Sequence, residues 1–133
     1  HIAAEFIGRF HNERISLPAI ALTTDTSILT SIANDYSYEE VFSRQVEGLG
    51  QKGDVFWGIS TSGNSKNVNR AFYSARKKGL KTIGFTGKDG GQMVDLSDLS
   101  LVIPSDVTAR IQEMHLLCAH IVCEIIDNVD WKN

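Results

Sequence analysis

Short apolar runs alternate with amphipathic stretches along this chain. Near-continuous runs at residues 18–24, 55–59, 80–86 and 99–103 predict strands that are buried on both faces of a sheet. Apolar residues at helical spacing predict helices over 1–11, 27–33, 38–49, 65–78 and 106–129, with a short helical turn over 92–96. Strands that alternate with helices in this way indicate an α/β fold, in which helices cover both faces of a parallel sheet.

The domain organisation predicted from this pattern is simple. The 133 residues fit one domain, 1–133, and contain neither an internal repeat nor a linker-like stretch. In parallel sheets, ligands bind beyond the carboxyl ends of the strands. We therefore expect three loops, 24–27, 60–65 and 86–91, to gather at one edge of the sheet.

Residues 60–65, here called the serine loop, carry the strongest chemical signal. An apolar strand ends there in Ser-Thr-Ser-Gly-Asn-Ser, and a helix follows. Free backbone N–H groups and the positive end of a helix dipole favour an anion at such a junction. Ser60, Thr61, Ser62 and Ser65 add hydroxyl donors. The loop fits neither the P-loop nor the dinucleotide-binding pattern, so we interpret it as a cradle for a single phosphate monoester; a serine-rich helix cap is the alternative.

Composition and charge exclude several classes of function. The net charge of −3, with no basic stripe, argues against broad nucleic-acid binding. No apolar run reaches the roughly 20 residues of a membrane span, and no signal peptide is visible. The two cysteines, Cys118 and Cys123, lie in an apolar helical pattern and indicate buried free thiols in a cytoplasmic protein.

The two ends of the chain hold further candidate groups. His1 and Glu5 are four residues apart, so they share one helix face and could be two metal ligands, or a ligand and a general base. A solvated polar pair is the alternative. The first ten residues resemble the middle of a helix, so we expect an N-terminal part of the domain to be missing. Gln112, His115 and His120 lie on the last helix, but helical periodicity does not decide which histidine faces a pocket.

Three motifs in order, Ile-Ser-Thr-Ser-Gly-Asn-Ser at 59–65, Thr-Gly-Lys-Asp-Gly-Gly at 86–91 and Ala-Arg-Ile-Gln-Glu-Met-His at 109–115, resemble the sugar isomerase (SIS) domain family. The similarity to its bacterial phosphoheptose isomerases runs essentially end to end. The resemblance implies a flavodoxin-like three-layer sandwich and a homotetramer with active sites between subunits. It also implies conversion of D-sedoheptulose 7-phosphate to D-glycero-D-manno-heptose 7-phosphate, for ADP-heptose and the lipopolysaccharide core.

The same resemblance assigns roles to individual residues. It makes Glu5 and His120 the catalytic pair, and His120 rather than His115 the catalytic histidine. The residues that it assigns to substrate or phosphate binding are Ser60, Thr61, Ser62, Ser65, Asn34, Asp35, Glu5 and Gln112. The residues that it assigns to one zinc ion per subunit are His1, Glu5, Gln112 and His120.

Two departures from the family pattern and two rival functions accompany these assignments. The family's first glycine/serine loop should precede His1, and Ala109 stands where several members have an aspartate. One rival is a non-catalytic SIS tetramer that binds the replication initiator DnaA. The resemblance implies that this relative lacks the residues that correspond to Glu5 and His120, both of which this chain has. The other is a sugar-phosphate-sensing module, which would need the serine loop but no acid/base pair.

Overall fold

A computed structural model describes residues 1–131 of the chain. Their contacts form two compact units, one of residues 1–21 with 113–131 and one of residues 22–112. Each unit is described separately below. The expectation of a single domain over 1–133 stays a prediction.

The sheet lies in the unit of residues 22–112. It has three parallel strands in the order β1-β2-β3, which are β1 (Val55–Ser60), β2 (Lys81–Gly87) and β3 (Leu99–Ile103). Trp57 pairs with Ile83, and Ile83 pairs with Leu99. All three strands were predicted from their apolar runs, and the parallel α/β fold class is confirmed.

Two glycines mark the face of the sheet on which helices pack. A side chain at Gly58 would collide with Phe72, and one at its register partner Gly84 would collide with Met93. Phe72 belongs to α4 (Lys66–Lys78) and Met93 to α5 (Met93–Leu96), so both helices cover this face. The core there consists of Val46, Phe56, Ala71, Phe72, Ala75, Leu80, Met93 and Leu96.

The opposite face of the sheet receives the start of the last helix, α6 (Thr108–Asp127). Side chains alternate along a strand, so Gly87 points away from the face of Gly84. A side chain at Gly87 would meet Ile111, which is fully buried at the start of α6. Helices therefore pack on both faces of the sheet, as the sequence pattern predicted.

The remaining helices of this unit begin and end near the predicted positions, with one interruption. Asp25 caps α2 (Thr26–Asp35) by accepting a hydrogen bond from the Ile28 N–H. The single helix predicted over 38–49 is wrong: a 3-10 turn (Tyr38–Glu40) precedes α3 (Ser43–Leu49). At the break, side chains donate hydrogen bonds to backbone carbonyls. Ser43 Oγ donates to Glu40 O, and Gln45 Nε2 donates to Val41 O.

The other unit contains the short helix α1 (Ile2–Ile7) and the second half of α6. The helix predicted over 1–11 is too long, because the carbonyls of its last turn bind side chains from the next segment. Arg14 donates to the carbonyls of Glu5 and Phe6, and Ser16 donates to that of Ile7. A continuing helix would have needed the same carbonyls.

The strand predicted over 18–24 is wrong, because these residues belong to no helix or strand. The apolar run predicted burial on both faces, but the Ile20 side chain is 70% exposed and Leu22 only half-buried. The loop at 24–27 therefore follows no strand and leads into α2. The third strand of this unit is β3. The residues that follow β2 and β3 are joined by a hydrogen bond, which Lys88 N–H donates to Ser105 O at 3.3 Å.

None of the helices formed by residues 1–131 combines the length and the hydrophobicity that crossing a bilayer requires.

Candidate functional site

The serine loop begins at the carboxyl end of β1 and ends at the N-terminus of α4. Ser60 is buried, and its hydroxyl lies 2.8 Å from Ser65 Oγ and 3.4 Å from Ser62 Oγ. Ser65 is the N-cap residue of α4, but its side chain makes no capping bond because it pairs with Ser60 instead. Val68 N–H donates to Asn67 Oδ1 at 2.9 Å, so the N–H groups of Lys66 and Asn67 are the ones in the first turn of α4 that suit an anion.

The second loop of this edge, 87–91, packs directly on the serine loop. Gln92 N–H donates to Asn64 Oδ1 at 3.1 Å, and Met93 N–H donates to Gly63 O at 3.0 Å. Asn69, which is buried on α4, donates from Nδ2 to the same Gly63 carbonyl at 3.2 Å. Gly63 has a φ of +65° and lies so close to Gly90 that any side chain would overlap its carbonyl. The loop is thus held in one shape by these hydrogen bonds and by the close approach of Gly63 to Gly90.

Asn34 and Asp35, which the resemblance assigns to substrate binding, are exposed in the last turn of α2. Gln112 is exposed on α6, in the first half of that helix. The part that these three residues play in binding stays a prediction.

Three polar side chains converge in the unit of residues 1–21 and 113–131. His1 Nε2 lies 3.3 Å from Glu5 Oε1 and 3.1 Å from His120 Nε2. One ligand atom from each residue lies within 4.8 Å of the other two. The structure therefore brings together His1, the N-cap residue of α1, and Glu5, on α1, with His120 on α6. His115, in contrast, is buried.

The chemistry of this cluster fits a metal ion. Lone pairs of two imidazoles and a carboxylate repel one another when they face one point, so a proton or a cation must lie between them. Two histidines with one carboxylate are a ligand set found in catalytic zinc sites. Donor atoms that surround zinc tetrahedrally at about 2 Å lie roughly 3.3 Å apart, close to the separations here. The residues therefore fit a metal site with two nitrogen ligands and one oxygen ligand.

An aromatic ring and a thiol lie near the cluster. The Phe10 ring lies 5.4 Å from that of His120, centroid to centroid. Cys123 is buried, and burial and the nearby Glu5 carboxylate raise the pKa of its thiol. A thiol held protonated is a poor nucleophile, so Cys123 has a packing role here. Cys118, which we expected to be buried as well, is only half-buried.

A buried ion pair that the sequence analysis did not predict lies beside this cluster. Arg14 Nε lies 2.8 Å from Asp127 Oδ1, and the two side chains are only 6% and 1% exposed. Asp127 also accepts hydrogen bonds from the N–H groups of His11 and Asn12, at 2.6 and 2.8 Å. Burial by itself would raise the pKa of Asp127, but these N–H groups and the Arg14 guanidinium lower it from 3.8 to about 2.

Acid should weaken this unit through Asp127. A carboxylate whose pKa is lower in the folded than in the unfolded protein contributes stability above its unfolded pKa, and loses it as the pH falls through the folded value. The window is therefore from about pH 4 down to about pH 2. We expect Asp127→Asn to lower the melting temperature at neutral pH. At pH 2, the difference in melting temperature between the variant and wild type should be smaller by at least about half.

Melting curves measured by circular dichroism between pH 2 and pH 7 check this expectation. Asp130→Asn, which changes an exposed aspartate three residues away, is the matched control and should follow wild type throughout. If the difference in melting temperature between Asp127→Asn and wild type stays constant from pH 2 to pH 7, the lowered pKa of Asp127 is contradicted.

Comparison with known proteins places the chain in a family. The family model described as "SIS domain" matches residues 1–87. The phosphoheptose isomerases of Sulfurimonas denitrificans and Nitratiruptor sp. are 61% and 64% identical to the chain, each over 127 residues, or 96% of it. The matches cover 65% and 68% of those proteins, so the chain spans about two thirds of their length.

A solved structure gives the same result for the fold. The structure of a phosphoheptose isomerase from Francisella tularensis superposes with a TM-score of 0.93 at 39% identity. The superposition covers 97% of the chain described here and 69% of the other. With its parallel sheet, serine loop and end-to-end similarity, the chain belongs to the phosphoheptose isomerase family of SIS domain proteins.

Proposed function

We propose that the complete protein is an isomerase that converts D-sedoheptulose 7-phosphate to D-glycero-D-manno-heptose 7-phosphate. The observation that carries the proposal is the meeting of the Glu5 carboxylate and the His120 imidazole beside His1. Relatives named phosphoheptose isomerase, over 60% identical to the chain, support the choice of substrate. The reaction would take place in the cytoplasm, as an early step towards ADP-heptose and the lipopolysaccharide core.

The acid/base chemistry follows from the needs of a ketose–aldose exchange. A base must remove a proton from carbon 1 of the ketose, and a proton must return to carbon 2 through an ene-diol. Glu5, whose side chain is 20% exposed, can act as the base because its carboxylate remains open to solvent. His120 is half-buried and can give a proton to, or take one from, the sugar oxygens that change charge.

The serine loop would hold the substrate by its 7-phosphate. Hydroxyls of Ser60, Thr61, Ser62 and Ser65, together with the N–H groups of Lys66 and Asn67 at the start of α4, provide donors for phosphate oxygens. The backbone contacts of Gly63 fix the loop before the substrate arrives, so little entropy is lost on binding. In this proposal Asn34, Asp35 and Gln112 contact the sugar.

Zinc is the metal that we propose for the cluster, one ion per subunit. His1, Glu5 and His120 would hold it, with Gln112 as a fourth ligand. When bound, zinc supplies a Lewis acid that stabilises negative charge on a sugar oxygen. Elemental analysis of the purified protein tests the assignment, and full activity in protein that a chelator has freed of metal would contradict it.

The exposed side of α6 supports the homotetramer. Met114, Ile121 and Ile125 are 40%, 46% and 62% exposed, and with the half-buried Cys118 they follow a spacing of three and four residues. This spacing is typical of a helix that packs along another helix. We propose that α6 packs against copies of itself in a tetramer, which light scattering of the purified protein would detect as a fourfold mass.

An isomerase assay on the complete protein tests the proposed function. Sedoheptulose 7-phosphate is supplied, and the aldose product is separated and identified by NMR. We expect turnover without any added protein partner. A folded wild type that shows no turnover but captures DnaA in a pull-down would favour the binding module, and phosphate-ester binding without turnover would favour the sensing module.

A further inference from the structure

The Arg14–Asp127 pair does more than satisfy two buried charges. All three nitrogens of the Arg14 guanidinium are engaged, two of them with backbone carbonyls. Nη2 donates to Glu5 O at 2.6 Å, and Nη1 donates to Phe6 O at 3.0 Å and to Ile15 O at 2.8 Å. The guanidinium thus closes the last turn of α1 at the residue that carries the candidate base.

Asp127 anchors the same guanidinium to α6. It lies seven residues after His120, which is two turns or about 10 Å along the helix. Its Oδ1 binds Arg14, and its Oδ2 accepts the N–H groups of His11 and Asn12. One buried group therefore connects the backbone of Glu5 to the helix that carries His120.

The shape of arginine matters for this connection. The planar fork can donate in several fixed directions at once, whereas a lysine ammonium is a single point charge. Lys at position 14 could keep the ion pair with Asp127, but it could not also bind the carbonyls of Glu5 and Phe6 with the same geometry. The separation of the two helices would then be fixed less tightly.

We propose that Arg14 is a positioning residue, which sets the distance between the Glu5 carboxylate and the His120 imidazole. It touches neither substrate nor reacting atoms. The inference rests on the proposed function, since the distance between these two groups determines both metal binding and proton transfer. Groups that orient metal ligands from outside the ligand set typically change affinity or activity by about 10- to 100-fold when they are altered.

Arg14→Lys in the complete protein tests the proposal with two readouts. The first is the zinc dissociation constant, from competition with a chromogenic chelator, and we expect it to rise by about tenfold or more. The second is steady-state kinetics, in which we expect kcat to fall by about tenfold or more while KM for the sugar phosphate stays within about twofold. Glu13→Gln, at a side chain 92% exposed on the same segment, should match wild type in both.

A second control separates positioning from loss of stability. Leu17→Ala opens a cavity at a buried side chain of the same unit, while it keeps the backbone N–H that Leu17 donates to Phe6 O and all the donors of Arg14. It should lower the melting temperature and leave zinc affinity unchanged. If Arg14→Lys does not fold, Asp127→Asn replaces it: its NH2 group cannot accept the His11 and Asn12 N–H groups, its neutral oxygen weakens the bond to Arg14, and the guanidinium bonds to α1 remain. The same rise in the zinc dissociation constant is then expected.

The outcomes distinguish the two proposals. Zinc affinity and kcat within about twofold of wild type in folded Arg14→Lys, or no greater loss than in Leu17→Ala, would overturn the positioning role. A wild type that binds zinc but does not isomerise the sugar would contradict the proposed function, and Arg14→Lys must then still weaken zinc binding. A wild type that does neither contradicts both proposals.

Discussion

Glu5→Gln is expected to lower kcat for sedoheptulose 7-phosphate by about 10²- to 10⁴-fold, the usual contribution of a general base. The amide keeps the size of the side chain and can still accept a hydrogen bond from His1, but it cannot take a proton from carbon. The serine loop is unchanged, so the affinity for the phosphate group should remain. Steady-state kinetics with purified complete protein measures both quantities.

His120→Asn should produce a loss of similar size, since both residues belong to one proton-transfer unit. Losses of groups that act together are not additive, so the double variant should be little worse than either single variant. Glu124→Gln, at an exposed carboxylate one turn further along α6, is the control and should keep wild-type turnover. Normal turnover in folded Glu5→Gln or His120→Asn would show that the acid/base assignment is wrong.

The second large effect is expected at Gly63. A Cβ atom there would lie 1.9 Å from Gly90 O and 2.6 Å from Gly90 C, and both are backbone atoms that cannot rotate away. Gly63→Ala must therefore separate the serine loop from the loop at 87–91. We expect the free energy of unfolding to fall by about 3 kcal/mol or more, and KM for the sugar phosphate to rise by about tenfold or more.

Gly53→Ala separates this collision from backbone strain. Gly53 also has a positive φ, +94°, but nothing lies within 4 Å of the position of its Cβ. An alanine there should cost only the left-handed backbone term, about 1–2 kcal/mol, with no change in KM. Urea unfolding measures the loss of stability in both variants, and steady-state kinetics measures their KM. Equal losses of stability and unchanged KM in the two variants would contradict the close contact between the loops.

The serine loop was predictable because its signal is local. A buried strand, a run of hydroxyl residues around Gly63 and an amphipathic helix follow one another in the sequence, and local geometry alone places them at a strand end. The failed strand at 18–24 shows the limit of the same argument. An apolar run indicates which side chains favour burial, but it does not supply the element that buries them. Ile20 remains exposed because no partner strand pairs with it among residues 1–131.

The cluster on α1 and α6 was only half predictable. The spacing of four residues places His1 and Glu5 on one face, but periodicity did not choose between His115 and His120. Residues 111, 115, 119, 123 and 127 are all buried, which turns His115 inwards and leaves His120 beside α1. That choice depends on packing, which the sequence pattern does not contain.

The Arg14–Asp127 pair was missed, although a signal existed. Steps of four from Ile111 reach Asp127, so a buried face of α6 ends in a carboxylate. A buried charge requires a partner. The partner, 113 positions earlier, follows no periodic pattern and appears only when the helices are folded.

Deuterium transfer from solvent tests the central claim, proton exchange through Glu5, most directly. The complete wild-type protein converts sedoheptulose 7-phosphate in D₂O, and NMR of the aldose measures the isotope at carbon 2. Transfer through a protein carboxylate that exchanges with solvent predicts deuterium at that carbon. An aldose that carries only protium at carbon 2, made at the same rate by Glu5→Gln, would contradict the account.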